Sequence, residues 1–206
     1  MPDNALTNDT SDTLPLFPLP LVLFPQATSQ LRIFESRYLE MTRECSSQGK
    51  GFGIVHFEAA ADGRPARHAA IGTEALIEDF STLEDGLLGI KVRGRRRFRI
   101  RSTHARDDGL IIGQVEWLAP EPRLAVNPEH AVLQAVLREL ARHDSFAGLA
   151  DADIDDASAL GMALASILPL EPPQAQELLA VTDPYERLRA LCWLLDSNQS
   201  DEPQGD

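Results

Sequence analysis

Lysine, cysteine and long apolar runs are scarce in this 206-residue chain, and each shortage removes a class of chemistry. Lys50 and Lys91 are the only lysines, and neither stands in a G-x-x-x-x-G-K-[ST] string. Gly49-Lys50-Gly51 comes nearest but lacks the spacing and the hydroxyl that a phosphate-cradling loop needs. His56-Phe57-Glu58 has the H-x-E form of a zinc deaminase, yet Cys45 and Cys192 stand too far apart to supply the P-C-x-x-C partner. The five histidines show no H-E-x-x-H spacing. Asp151, Asp153 and Asp155 imitate the start of a calcium loop, but Asp156 occupies its glycine position and Met162 that of its bidentate glutamate. Neither a metal nor a cofactor is expected. No stretch approaches the roughly 20 apolar residues that cross a bilayer as a helix. Residues 1–12 contain no basic and apolar leader, so a cytoplasmic chain is expected, with its two cysteines free or joined in a single bridge.

What the chain does have is an unusual opening, LPLFPLPLVLFPQATSQLRIFESRYLEM, from Leu14 to Met41. Pro15, Pro18, Pro20 and Pro25 forbid a helix and predict an extended run, with strand only between the prolines. Leu16, Phe17, Leu19 and Leu21 through Phe24 must be buried nonetheless. Leu31, Ile33 and Phe34 predict a second strand, and a helix follows with Ser36 as its N-cap.

The segments Leu14-Pro15-Leu16-Phe17-Pro18-Leu19, Leu23-Phe24-Pro25, Leu31 through Glu35, and Arg37, Tyr38 and Met41 resemble the N-terminal substrate-recognition domain of Lon-type ATP-dependent proteases. Bacterial proteins that carry this domain by itself are especially similar. The resemblance continues through Gly51–Val55, Ile71-Gly72-Thr73, Asp85-Gly86, Gly94, Arg97–Ile100 and Leu168-Pro169-Leu170 to Leu195. There are two departures. Gln26 stands where the family usually turns on a glycine, and Ser29-Gln30 replaces an apolar residue and a proline. The resemblance implies a PUA-like barrel, without the ATPase and the serine–lysine protease of full-length Lon. A chain of this length has room for one or two domains, not for both of those enzymes. Lys50 and Lys91 lack the surrounding protease motif, so no catalytic residue is assigned.

Independently of the resemblance, the pattern divides at Ala119-Pro120-Glu121-Pro122. Before it, Gly53–Phe57, Gly72–Phe80, Leu88–Arg93, Arg97–Arg101 and Leu110–Trp117 alternate as strands, with turns at Asp85-Gly86 and Asp107-Asp108-Gly109 and a polar loop from Ala59 to Ala69. Short strands, tight turns and one early helix predict a small barrel. After the linker the period becomes helical: Leu133, Val136, Leu137 and Leu140; then Leu160, Leu164 and Ile167; then Leu178 and Leu179; then Leu188, Leu191, Cys192 and Leu195. Asp183, Pro184 and Glu186 mark the start of the last helix. The expected class is α+β. A disordered tail at 1–12, a PUA-like β-barrel lobe with one helix at 13–119, a helical bundle lobe at 120–196 and a second tail at 197–206 follow one another.

Charge is uneven. Lys91 to Arg106 holds eight basic residues and no acidic one, whereas the rest of the chain holds eleven basic and thirty-two acidic. The alternation predicts Phe98 and Ile100 inward and Arg97, Arg99 and Arg101 outward as a basic face. PUA-type barrels also serve RNA, but this face lacks interleaved exposed aromatics, and the acidic remainder repels phosphates. A structural alternative has these arginines pair with the acidic helical lobe.

The function implied by the resemblance is non-catalytic binding of unfolded or degron-bearing polypeptide, or of a partner protein, through an apolar surface. Weak self-association is a further expectation. Phe24, Pro25, Phe34, Tyr38, Trp117 and Trp193 are the candidate contacts, although buried aromatics are more often core than ligand contact. RNA binding through residues 91–106 and a small-molecule sensor with a pocket between the lobes are the competing readings.

Overall fold

The computed structural model describes residues 11–58, 67–143 and 152–200. The polar loop expected from Ala59 lies largely outside them, as do Asp151 and most of both expected tails. Where those tails are described, they are regular: β1 begins at Ser11 and the last helix continues to Ser200.

The chain is mixed α/β, with a large, mainly antiparallel sheet followed by helices. Its strands are β1 (Ser11–Leu19), β2 (Thr28–Ile33), β3 (Phe52–Glu58), β4 (Arg67–His68), β5 (Ile71–Thr82), β6 (Leu88–Ala105) and β7 (Ile111–Trp117). Helix α1 (Ser36–Gln48) lies between β2 and β3, and α2 (Ala131–Leu140), α3 (Ala157–Ile167), α4 (Pro172–Ala180) and α5 (Pro184–Ser200) follow the strands. Pairing runs β1-β7-β6-β5-β3, and β3 returns to β1 in parallel, so these five strands form a closed circuit. β2 is added on β6, and β4 on β3.

The prolines do not interrupt β1. The strand pairs with β7 from Ser11 to Leu16 and with β3 from Leu16 to Leu19. A strand with one partner turns alternate N–H groups away from it, so Pro15 and Pro18 fit within the strand. Helix α1 starts one residue earlier than expected. Glu35 is its N-cap, with no side-chain capping bond, and Ser36 is already helical. The turn after Phe24 places Gln26 at φ 66°, in the left-handed region that glycine tolerates best. Gln26 N–H donates to the Gly94 carbonyl at 2.9 Å, and Gly94 N–H donates to that of Ala27 at 2.9 Å. A Cβ on Gly94 would lie 2.2 Å from the Phe24 carbonyl oxygen, so only glycine allows this approach.

Two apolar clusters fill the sheet. One joins Leu14, Leu16, Val55, Phe98 and Val115; the other gathers Tyr38 and Met41 of α1 with Phe17 and Phe52 of the sheet. A third collects Leu133, Leu137, Leu160, Leu164, Leu178, Leu179, Leu188 and Leu191 from the four later helices, and takes in Phe24 and Ile71 from the strand region. The helical periodicity predicted these faces. Asp156 caps α3 by accepting from Ala159 N–H at 3.3 Å, Glu171 closes a capping box on α4, and Asp183 accepts from Tyr185 N–H at 2.8 Å at the start of α5. Both cysteines are free, and no helix among the described residues is long and apolar enough to cross a membrane.

Candidate functional site

Arg97 does not belong to an outward basic face. It does point away from Phe98, as alternation requires, but the α4–α5 segment covers that side, and only 6% of Arg97 is exposed. Its guanidinium donates to the carbonyls of Leu179 at 2.7 Å and Val181 at 2.6 Å, and pairs with Glu121. Arg187 of α5, fully buried, reaches the same carboxylate through Nη1 at 2.8 Å and Nη2 at 2.5 Å, and also donates to the Leu178 and Val181 carbonyls. Ser158 of α3 donates to Glu121 at 2.5 Å. Burial alone would raise the Glu121 pKa, but the donors from Arg187, Ser158 and Arg97 outweigh it and hold the carboxyl below its ordinary range. This junction joins β6, the proline-marked linker and three helices.

The remaining basic residues of β6 and its turn pair chiefly within the sheet. Lys91 and Arg93 meet Glu78, Arg96 meets Glu74 at 3.1 Å, Arg101 meets Glu116, and Arg106 meets Glu44 and Asp108. Arg95 and Arg99 have no carboxylate partner among the described residues.

The six aromatic and proline candidates do not converge. Phe24 and Tyr38 are core, Tyr38 stacked on Phe17 with ring centroids 4.1 Å apart, and neither offers a surface contact. Pro25 is half-buried beside the Gln26 turn. Phe34 and Trp193 are 65% and 67% exposed but stand on β2's end and on α5 respectively. Trp117 alone lines a substantial cleft, of about 480 Å³, bounded by the start of β1, the end of α1, and β5 to β7. Its indole donates to Asp12, Arg96 stands over its ring at 3.8 Å, and Phe98 meets it edge-on at 6.1 Å. Leu14, Leu76 and Ile112 give the cleft apolar walls. Cys45 also lines it, but burial pushes its thiol up to about 11, with Glu44 adding to the effect, which opposes a nucleophilic thiolate. A second cleft, of about 320 Å³, lies across β2, β6 and β5 and includes Phe80, which is 49% exposed.

One arrangement outside the clefts has the outline of a nucleophile and base: Cys192 Sγ lies 3.9 Å from His130 Nδ1, and His130 Nε2 lies 3.5 Å from Glu129. Burial, Asp196 and Glu129 all raise the Cys192 pKa, so the thiol is held protonated, contrary to what such a triad needs.

Sequence reading missed the Glu121–Arg187 pair and the two cleft cations Lys50 and Arg95. A signal for the first existed. Arg187 lies four residues before Leu191, on the inward stripe of α5, and a basic residue on an apolar stripe asks for a buried partner.

The sheet thus carries an open cleft, and the later helices are held against it through a buried ion cluster. Residues 13–197 match the family model described as the ATP-dependent protease La (LON) substrate-binding domain, and the chain belongs to that family. A Lon N-terminal domain protein from Xanthomonas campestris is similar in structure: 41% identity and a TM-score of 0.73 over 88% of this chain and 97% of that one. The N-terminal domain of a Mycobacterium avium complex Lon protease shares the fold at 19% identity and a TM-score of 0.63, over 90% of this chain and 99% of that one. Lon protease 2 of Herpetosiphon aurantiacus is 29% identical over 94% of this chain, which spans only 25% of that relative's length.

Proposed function

We propose that this chain is a non-catalytic recognition module that binds unfolded or degron-bearing polypeptide segments, or a partner protein displaying one, through a partly apolar surface. In this reading residues 13–119 are a PUA-like barrel lobe, residues 120–196 are a helical bundle docked on it, and the protein acts in the cytoplasm. The observation that carries the proposal is the open Trp117 cleft. It offers apolar walls and polar anchors to a chain, while its one thiol is pushed away from reactivity. Shallow contacts of this kind accept many sequences at modest affinity.

The pairing of six of the eight basic residues in 91–106 with carboxylates supports polypeptide over RNA, because a phosphate must displace an existing partner at each of them. The test is fluorescence anisotropy with a labelled unfolded peptide of no net charge and a labelled single-stranded RNA, each at low and high salt. The peptide is expected to bind weakly, with little salt dependence, both to the wild type and to the Arg99→Glu/Arg101→Glu variant. Arg97 stays untouched, since its reversal would break the buried junction. Tight RNA binding that falls steeply with salt, together with no peptide binding, would overturn the proposal.

A further inference from the structure

The Trp117 cleft contains a charge imbalance that the fold itself does not use. Three carboxylates line it, and each already has a donor: Asp12 accepts from the Trp117 indole, Glu74 pairs with Arg96 at 3.1 Å, and Glu44 pairs with Arg106 at 2.9 Å. Two further cations on the same walls, Lys50 and Arg95, have no carboxylate partner among the described residues. In a chain with a net charge of −13, most cations among the described residues have a carboxylate within ion-pair distance, and this cleft holds two that do not. Lys50 is placed by the left-handed Gly49 that ends α1, while Arg95 projects from β6 beside the Arg96–Trp117 stack. The Trp117 ring is fixed by Arg96 and Phe98, so the wall is formed before any ligand arrives.

We propose that this cleft is a docking site for an acidic polypeptide segment, whose carboxylate is held by Lys50 and Arg95 while a neighbouring apolar side chain lies against Leu14, Leu76 and Ile112. The proposal rests on the polypeptide-binding reading above and names the class of polypeptide. A purely apolar segment would cover both cations and strip their water without replacing it, which is unfavourable. A basic segment would meet like charge. An acidic and apolar segment satisfies both parts of the wall, and arginine presents its donors as a fork that matches a carboxylate.

The test uses the full chain and three labelled peptides of one apolar sequence, flanked by Glu, by Gln or by Lys, read by fluorescence anisotropy. The Glu peptide is expected to bind at least tenfold more tightly than the Gln peptide, and the Lys peptide more weakly still. Lys50→Glu and Arg95→Glu should each abolish the preference for Glu over Gln, whereas Arg138→Glu, on α2 and outside the cleft, should keep it. All three positions are exposed, and each variant's melting transition verifies its fold. Equal binding of the Glu and Gln peptides, or a preference that survives both cleft variants, overturns this inference and leaves the proposed function standing. Absence of binding by every peptide overturns both. A single-stranded RNA that binds tightly and loses affinity in the same two variants would assign the cations to phosphate, which also overturns the inference.

Discussion

Strand β6 carries arginine into two environments four residues apart. At Arg97 the strand passes beneath the α4–α5 segment, and the guanidinium shares Glu121 with the buried Arg187. At Arg101 it runs in open solvent, and the guanidinium meets Glu116 with both side chains about half exposed. The residue type and strand are the same; only the cover differs. A run of arginines is therefore neither a nucleic-acid patch nor a structural staple until what lies over it is known. Burial removes water from Arg97 and Arg187, so the carboxylate between them becomes indispensable, whereas water replaces the partner of Arg101 at almost no cost.

The largest effect that can test this contrast comes from Glu121→Gln. It keeps the shape but leaves two buried guanidiniums sharing a neutral amide, and should cost about 3–5 kcal/mol. At this chain length each kcal/mol shifts the melting temperature by about 2–4 °C, so a fall of roughly 10 °C is expected. The pH dependence follows from the lowered pKa. A carboxyl depressed on folding contributes fully above its unfolded value and loses that contribution as the pH falls through its folded one. Wild-type stability should therefore drop on the acid side of the ordinary glutamate value of 4.5, and Glu121→Gln should flatten that part of the limb. Chemical denaturation between pH 7 and 3 measures both. Identical acid slopes would show that the junction does not depend on the ionised carboxylate.

An intermediate case lies at Arg93, whose Nη1 donates to the Gln26 carbonyl at 2.9 Å. Gln26→Gly removes the left-handed strain while keeping that backbone contact, and should stabilise the fold by about 0.5–1 kcal/mol after the added freedom of the unfolded chain is counted. Equilibrium urea denaturation would reveal it, and a loss instead would mean that the Gln26 side chain holds the turn. The smallest effect belongs to Arg101→Ala, expected to stay within about 0.5 kcal/mol because the pair is solvated. A cost near that of Glu121→Gln would erase the distinction between the two ends of the strand.

How far these environments could be read from sequence follows from the same contrast. The helical stripes were legible because a 3.6-residue period reports burial directly, and Leu133, Leu137, Leu160, Leu164, Leu188 and Leu191 are all buried as that period predicts. The departure at Gln26, where the family usually turns on a glycine, did not say which course the turn would take, and Gln26 itself adopts the left-handed backbone there. The alternation at Phe98 was also right. It could not say that helices arriving eighty residues later would cover the other side of the strand and bury Arg97 with it. Pro15 and Pro18 misled for a related reason: a proline forbids a hydrogen bond on one side only, and which side lacks a partner is a fact of topology. Phe24, Tyr38, Phe34 and Trp193 read alike as large apolar residues, yet two are core and two are exposed, since composition carries no record of which surface another element will occupy. The cleft was half legible. Trp117 was a candidate, but Lys50 and Arg95 gain their meaning only from carboxylates that other partners have already claimed.

The closed circuit of strands also constrains the order in which the chain can fold. Leu16 of β1 pairs with Gly53 of β3 on one side and Ile111 of β7 on the other. On a ribosome adding about 5–20 residues per second, the antiparallel partner is missing for several seconds or longer after β1 has emerged. Through that interval β1 is an apolar strand with an unpaired edge, the kind of segment that recruits other nascent chains. Pro15 and Pro18, which cost the finished sheet nothing, deny such a neighbour a regular ladder of donors. Prolines so placed make β1 a poorer template for mispairing before β7 arrives.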